Sequence, residues 1–574
     1  MPTQSLERLL DRLDELKRPT DARARARLAQ LLKQLERRRF RDAQSLIRFH
    51  EILLYLCAYP QSAPLLRAAE RILKTFSRRV EGLRASGVDA GELEYGEVSG
   101  IAGTGLWAVF SYDIVRWLAR AHPRRARLAW EDYAESAPLV ALLARFLPLF
   151  EEDAYVDAKV PFREWLRAAR RRGEGELQWL VRRFESLPVT ARERATLFDP
   201  LKLWVRWELG DSRATRTHAR RRPLGEIFYH RAPLIARRDV SLARELEAPP
   251  LAVEKLSRAA GERVLEAGRD AMSVRFRELH GFTHGDARTV VRADAGRGLE
   301  IFLWGVPAAR RLPLLAYHAG VFYKNGVPAG YHEGLSFFER TEIGLNLFYT
   351  FRDGESAWTY ARLMRLYRQL LGIDTFSVEP YQLGGSGNDE GIESGAFWFY
   401  RKLGFRPVRP DLSRLVSREE RRIAARDGYR TPAPTLRRLA SGHAVYEAPS
   451  AQKPGEWDRF HVRNLGLAVT RRAAREFKGD ADCLRAASVD EVRRALAATR
   501  ERFDDETTRA FSNFALVLAL VPDLDAWPRE DKRALLKIVR AKAGRDETTY
   551  LRLLRRHARL RRAIIALGTK AVSY

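Results

Sequence analysis

Ser394-Gly-Ala-Phe-Trp-Phe-Tyr-Arg-Lys-Leu-Gly-Phe-Arg-Pro407 is the stretch of this 574-residue chain that decides how the rest is read. Its aromatic run predicts a helix over Glu390–Leu403 that stops at Gly404, where a C-terminal glycine accepts left-handed backbone at little cost. Asn388-Asp389-Glu390 is explained as a helix start by capping alone. Working upstream, FSVEPYQL (Phe376–Leu383) predicts a strand, placed over 375–383. Ser356–Leu371 sets Trp358, Leu363, Leu366, Tyr367 and Leu370 at helical spacing. Further strands are predicted over Ser273–Leu279, Leu299–Trp304, Gly320–Lys324, Ala329–Phe338 and Glu342–Tyr349. Asn325-Gly326 favours a tight hairpin turn between two of them. Residues 270–410 hold 23 of the 58 aromatic side chains, so the densest core belongs here. Sheet followed by helix, strand, helix and strand predicts an α/β unit.

The stretch resembles the GNAT family of acyltransferases. The matching residues of the pattern A-x-x-x-Y-x-K-x-G-F are Ala396, Tyr400, Lys402, Gly404 and Phe405. The resemblance covers about residues 280–410 and is more specific in its C-terminal half. The block is also similar to one in uncharacterised bacterial proteins. In that family the loop after the fourth strand binds the coenzyme A pyrophosphate at a helix N-terminus, as expected for an anion at the positive end of a helix. The resemblance places this loop at Arg352-Asp353-Gly354-Glu355-Ser356-Ala357 and implies Arg352, Gly354, Ser356 and Ala357 as cofactor-binding residues. Glu355 stands where the family has its central glycine. The resemblance also implies acetyl-CoA or another acyl-CoA as cofactor, with Tyr400 as general acid. Glu342 and Glu379 lie in strands where a general base could sit. A core role for Tyr400 and solvent-facing roles for the two carboxylates are the structural alternatives. If acyl-CoA binds, replacing Glu355 with Gly is expected to tighten that binding.

The flanks read differently. Residues 1–270 form a predicted helical, basic N-terminal region, with a break near 95–105. Residues 271–412 form the GNAT-like domain and 413–574 a second helical, basic region. The fold class expected is therefore an α/β GNAT-like mixed-sheet domain flanked by two mainly α-helical regions. Leu6, Leu9, Leu10, Leu13 and Leu16 form one stripe, Asp21 is placed to cap the next helix, and Ser45–Tyr59 is apolar all round. At the other end, SVDE from Ser488 has the form of a capping box, and Thr548–Leu567 forms one long helical pattern. RATRTHARRR (Arg213–Arg222) is predicted to be a loop.

Lys and Arg total 102 against 74 Asp and Glu, giving a net +28. By segment, residues 1–280 carry +13, residues 281–410 carry +2, and residues 411–574 carry +13. A basic surface attracts polyanions through counterion release; an Arg-rich genome would give the same excess. Two cysteines exclude a disulfide scaffold and a Cys-based zinc site. His280 and His284 sit among glycines, HExxH is absent, and no metal is expected. No segment predicts a membrane span or a signal-peptide core, so a cytoplasmic location is expected.

The leading expectation is a GNAT-like acyltransferase acting on an unknown amine. The alternatives are an aminoacyl-tRNA-dependent transferase, with tRNA on the basic flanks, and an inactive GNAT-like scaffold binding nucleic acid or protein. Arg552, Arg555, Arg556 and Arg559 mark the basic face of the C-terminal helical pattern. Their reversal to Glu is expected to weaken nucleic-acid binding and flatten its dependence on salt in filter-binding titrations. Unchanged affinity at low salt removes that face from the reading.

Overall fold

The computed structural model describes residues 5–133, 137–148, 150, 161–223, 225–451 and 453–570. Alternating apolar and polar residues in the N-terminal region build strands as well as helices. β1 (Gly105–Val109), β2 (Ala126–Leu128) and β3 (Trp204–Glu208) form a small antiparallel sheet in the order β1-β3-β2. With the helices Tyr112–Ala121 and Glu176–Glu185, this sheet closes a separate core around Leu118, Leu180, Phe184 and Trp207. The expected break near 95–105 is where this unit begins. The N-terminal region is thus not purely helical, because Trp-Val-Arg-Trp-Glu alternates with the period of a strand.

The main sheet has nine strands. They are β4 (Ala252–Lys255), β5 (Val291–Asp294), β6 (Leu299–Leu303), β7 (Ala316–Lys324), β8 (Val327–Phe337), β9 (Arg340–Leu347), β10 (Thr375–Val378), β11 (Arg406–Pro407) and β12 (Ala444–Glu447). The order is β11-β12-β10-β9-β8-β7-β6-β5-β4, antiparallel except for β9 beside β10. The protein is therefore a mixed α/β structure, and its sheet runs beyond residues 271–412 at both ends. β4 and β12 are too short to stand out in the sequence. Asn325 (φ 47°) and Gly326 (φ 79°) make the left-handed turn between β7 and β8. Every residue of β7 is buried, since helices cover the sheet on both faces.

Several elements differ from their sequence expectation. Ser273 ends the helix Arg258–Ser273, and no strand forms from 273 to 279. β10 stops at Val378 because Pro380 cannot continue the ladder, and a short 3₁₀ turn, Tyr381–Leu383, follows. The predicted helix 390–403 is two pieces, Asp389–Glu393 and Ala396–Lys402, separated by Gly395 in left-handed backbone. Ser488 lies buried inside the helix Ala481–Ala495, which Asp480 caps instead. The last helical pattern breaks at His557, whose ring caps the second piece. The Arg552, Arg555, Arg556 and Arg559 side chains are exposed, as the pattern predicts.

The first helical bundle docks on the main sheet through a buried polar junction, and both share one continuous apolar core with the C-terminal helices. Glu51, on the helix Ala43–Ala58, pairs with Arg216 at 2.6 Å and accepts from the Thr350 hydroxyl. His50 lies 3.0 Å from Glu51 and 2.9 Å from Thr217. Arg213–Arg222 is the predicted loop, but Thr215, Arg216 and Thr217 within it are buried. Arg220 pairs with Glu70, and Arg221 stacks on Phe302, so these two arginines are tied into the structure, while Arg213 and Arg222 are exposed.

Burial alone would raise the Glu51 carboxyl, but Arg216, His50 and Thr350 outweigh it and hold it down at about 2. A depressed carboxylate adds stability in full above its unfolded value and loses it as pH falls through the folded value. Denaturant midpoints are therefore expected to fall between about pH 4.5 and pH 2. Glu51→Ala leaves Arg216 buried and unpaired, and a loss of about 3–5 kcal/mol in urea unfolding is expected.

Candidate functional site

The face of β9 that carries Arg340, Glu342, Gly344 and Asn346 holds the densest set of reactive groups. Strand alternation puts these residues on one side, and antiparallel register places Glu333 of β8 opposite Gly344. β9 pairs with β10 only through Arg340–Glu342 against Thr375–Ser377. Beyond that point β9 runs on while the chain after β10 turns away. The Gln382 amide fills the resulting split, close enough that a Cβ on Gly344 would sit 3.3 Å from it.

Three carboxylates share this face in different electrostatic settings. Glu342 lies 3.4 Å from His443 and 3.8 Å from Arg340. Burial would raise it, but the hydrogen bond to the His443 ring and the Arg340 charge hold it below the usual carboxylate range. Glu379, just past β10, keeps much of its side chain in solvent, yet the protein packed around its carboxyl and then the negative charge of Glu342 raise it. Glu333 accepts from the Tyr317 hydroxyl, and burial raises it too. One carboxylate held ionised beside another raised in pKa is an arrangement suited to acid–base work. Glu342 and Glu379, separated by 37 positions, are brought to one face. Glu333 was missed as a site residue. Its only sequence signals are strand alternation and the pair His332-Glu333, and His332 points to the opposite face, bonding Phe302 and Tyr367.

Tyr400 is buried, and burial raises its phenol. Its hydroxyl lies 3.4 Å from the Gln382 Oε1, which it meets as a donor. Its ring packs against Tyr360 and Phe405. It thus joins the core and reaches the open face through Gln382.

The loop expected to bind the cofactor lies elsewhere, at the far end of β9, and the protein itself fills it. Arg352 donates to the Leu347 carbonyl and pairs with Glu390 at 2.5 Å. Asp353 pairs with Lys17 at 3.3 Å. The Ser356 hydroxyl donates to the Arg352 carbonyl, and Ala357 is buried. A Cβ on Gly354 would sit 2.3 Å from the Tyr59 hydroxyl, so the space that a glycine would open to a pyrophosphate holds the Tyr59 ring. The residues present do not fit a coenzyme A pyrophosphate at this loop.

Glu355 is fully buried and turned away from the loop surface. It pairs with Lys324 at 2.9 Å and with Arg297 at 2.5 Å, and it accepts from the Ile235 amide at 3.2 Å. Burial opposes its charge, yet Lys324 and Arg297 prevail and hold it at about 2. His280 and His284 lie with ring centroids 5.0 Å apart. Among the described residues, no group of three or more His, Cys, Asp or Glu has metal-holding geometry.

Comparison with protein-family models, curated proteins and solved structures finds no match for this chain. Among the described residues, no helix is long and apolar enough to cross a membrane.

The Glu355 geometry reverses the expectation for Glu355→Gly. Removing the carboxylate leaves Lys324 and Arg297 buried together without their counter-charge. Both Glu355→Gly and Glu355→Gln are expected to cost about 3–5 kcal/mol of stability in chemical unfolding. Neither is expected to create acetyl-CoA binding, which calorimetry checks.

Proposed function

We propose that this protein is a GNAT-like acyltransferase that acylates an amine at the Glu342–Glu379 face. The observation that carries the reading is that Glu342 and Glu379 are brought to one face at the point where β9 and β10 stop pairing. The order of elements supports the same reading: a hairpin, a strand, the helix Ser356–Leu371, a parallel strand, a helical pair and closing strands.

The chemistry follows from what the side chains can do. An amine arrives as an ammonium ion, and Glu379, which forms no ion pair among the described residues, attracts it, while Glu342 stays matched by Arg340 and His443. Glu379, a stronger base than an ordinary carboxylate, accepts the proton that must leave before the nitrogen attacks. The neutral amine then adds to the acyl carbon of the donor; collapse of the adduct breaks the bond from that carbon to the donor's sulfur or oxygen, which leaves with the proton held by Glu379, while the nitrogen sheds its second proton to solvent. Gln382, anchored by Tyr400, is placed to donate from its amide nitrogen to the oxygen that gains charge. Tyr400 acts as a positioning residue in this scheme.

The Tyr59-filled loop favours a donor whose phosphates bind away from that loop. This observation keeps the aminoacyl-tRNA-dependent reading beside the acyl-CoA reading.

The test is acyl transfer to a panel of amines, followed by mass spectrometry, with acetyl-CoA and with aminoacyl-tRNA as donors. Glu379→Gln is expected to lower kcat/KM by about 10²-fold or more and to remove the fall in activity that protonation of Glu379 causes as pH is lowered. Tyr400→Phe is expected to lower kcat by a smaller factor. Full activity of Glu379→Gln and Glu342→Gln defeats the reading.

A further inference from the structure

The carboxylate face does not end at Glu342. It opens into a cavity of about 1290 Å³, walled by Arg340, Arg409, His443, Arg459, His461 and Arg463. That volume exceeds the usual ~300–1,000 Å³ of a small-molecule site. The two acidic residues on its wall are already matched. Asp458 takes both amine groups of Arg406, at 2.8 and 3.0 Å, and Glu342 faces Arg340 and His443. Arg409 grips both oxygens of Asp411. Arg459 and Arg463, both exposed to the cavity, form no ion pair among the described residues. The Arg340 guanidinium donates to the Ser377 hydroxyl at 2.9 Å, while its buried Nε lacks a partner among the described residues.

Backbone dipoles add to this charge. The helix Val462–Phe477 begins in the wall of the cavity, with His461 at its N-cap. It has no acidic residue in its first turn and no side chain capping it. Its positive end is therefore left to solvent or to a ligand. A second helix, Pro410–Ala425, also starts at the cavity wall. Unpaired arginines around an uncapped helix start form a site for phosphate oxygens, which accept from both guanidinium and backbone N–H groups. The cavity and the reacting carboxylates share Glu342, and Pro380 in the wall adjoins Glu379.

We propose that this cavity binds the phosphate groups of a nucleotide-sized acyl donor and so delivers its acyl group to the Glu342–Glu379 face. This inference rests on the acyltransferase reading for the role of the ligand, but not for its binding. The shared chemistry is a phosphate ester or pyrophosphate. It is supplied by a free nucleotide derivative or by the 3′ end of an RNA.

The experiment is calorimetry on the whole protein with pyrophosphate, ADP, coenzyme A and a short RNA ending in CCA, at two salt concentrations. The double variant Arg459→Glu/Arg463→Glu is compared with Arg529→Glu/Arg533→Glu, a control pair on the distant helix Arg529–Ala543. Circular dichroism and thermal unfolding confirm that each variant is folded. Binding at least about tenfold weaker in the first variant and retained in the control is the expected result. Loss confined to ADP and coenzyme A identifies a nucleotide donor, and loss confined to the RNA identifies its 3′ end. The inference is overturned if none of the four ligands binds, or if the two variants bind equally well. Phosphate binding that depends on Arg459 and Arg463, with transfer indifferent to Glu379, keeps this site and defeats the acyltransferase reading. Transfer that needs Glu379 while no phosphate ligand binds or competes does the reverse.

Discussion

The buried charge of Glu355 is the constraint on which the centre of the molecule depends. It draws Lys324 from the end of β7, Arg297 from the turn before β6 and the Ile235 amide to one point. A carboxylate in such a place is tolerable only because two cations and a backbone donor surround it. With the carboxylate pulled inward, the loop from Arg352 to Ser356 closes, and Tyr59 of the first bundle packs on Gly354. The junction of Glu51, Arg216 and Thr350 fastens the same bundle to the end of β9. Two ion clusters thus fix one helical layer against the sheet, and together they seal the far end of β9.

Sealing one end of β9 leaves the other end open. At Arg340–Glu342 the strand meets β10 in parallel, and the ladder lasts only three residue pairs. Short parallel pairing leaves the face past Glu342 open, and Glu333, Glu342, Glu379 and Gln382 gather there. The cationic cavity lies on the same side, so the carboxylates and the exposed arginines are continuous. The opposite side of the sheet carries His332, Tyr360 and Tyr367, which serve packing and internal hydrogen bonds.

The basic character of the chain divides in the same physical way. Arg216 and Arg275 are buried, Arg220 and Arg221 tie a loop to the bundle and the sheet, and Arg561 pairs with Glu339 and Glu456. These arginines are structural, because planar guanidinium groups satisfy several acceptors at once. Arg459 and Arg463 are exposed and form no ion pair among the described residues, whereas Arg559, exposed on the last helical pattern, pairs with Asp531. Net charge alone does not separate these classes, since it counts buried and exposed cations equally.

Local physics was legible in the amino-acid order. The helix Ser356–Leu371, the Asn325-Gly326 turn, the Asp21 cap and the strands from Leu299 to Leu347 follow from periodicity and turn chemistry, which act over a few residues. Tyr400, Glu342 and Glu379 are singled out by the GNAT resemblance rather than by periodicity. What tertiary structure alone decided are relations between distant segments. Tyr59 reaches Gly354 across 295 positions. Glu51 finds Arg216, β12 enters between β10 and β11, and Arg340 meets Arg459 and Arg463 around one cavity. Such contacts depend on how layers pack, and no short-range pattern encodes which buried charge will meet which partner.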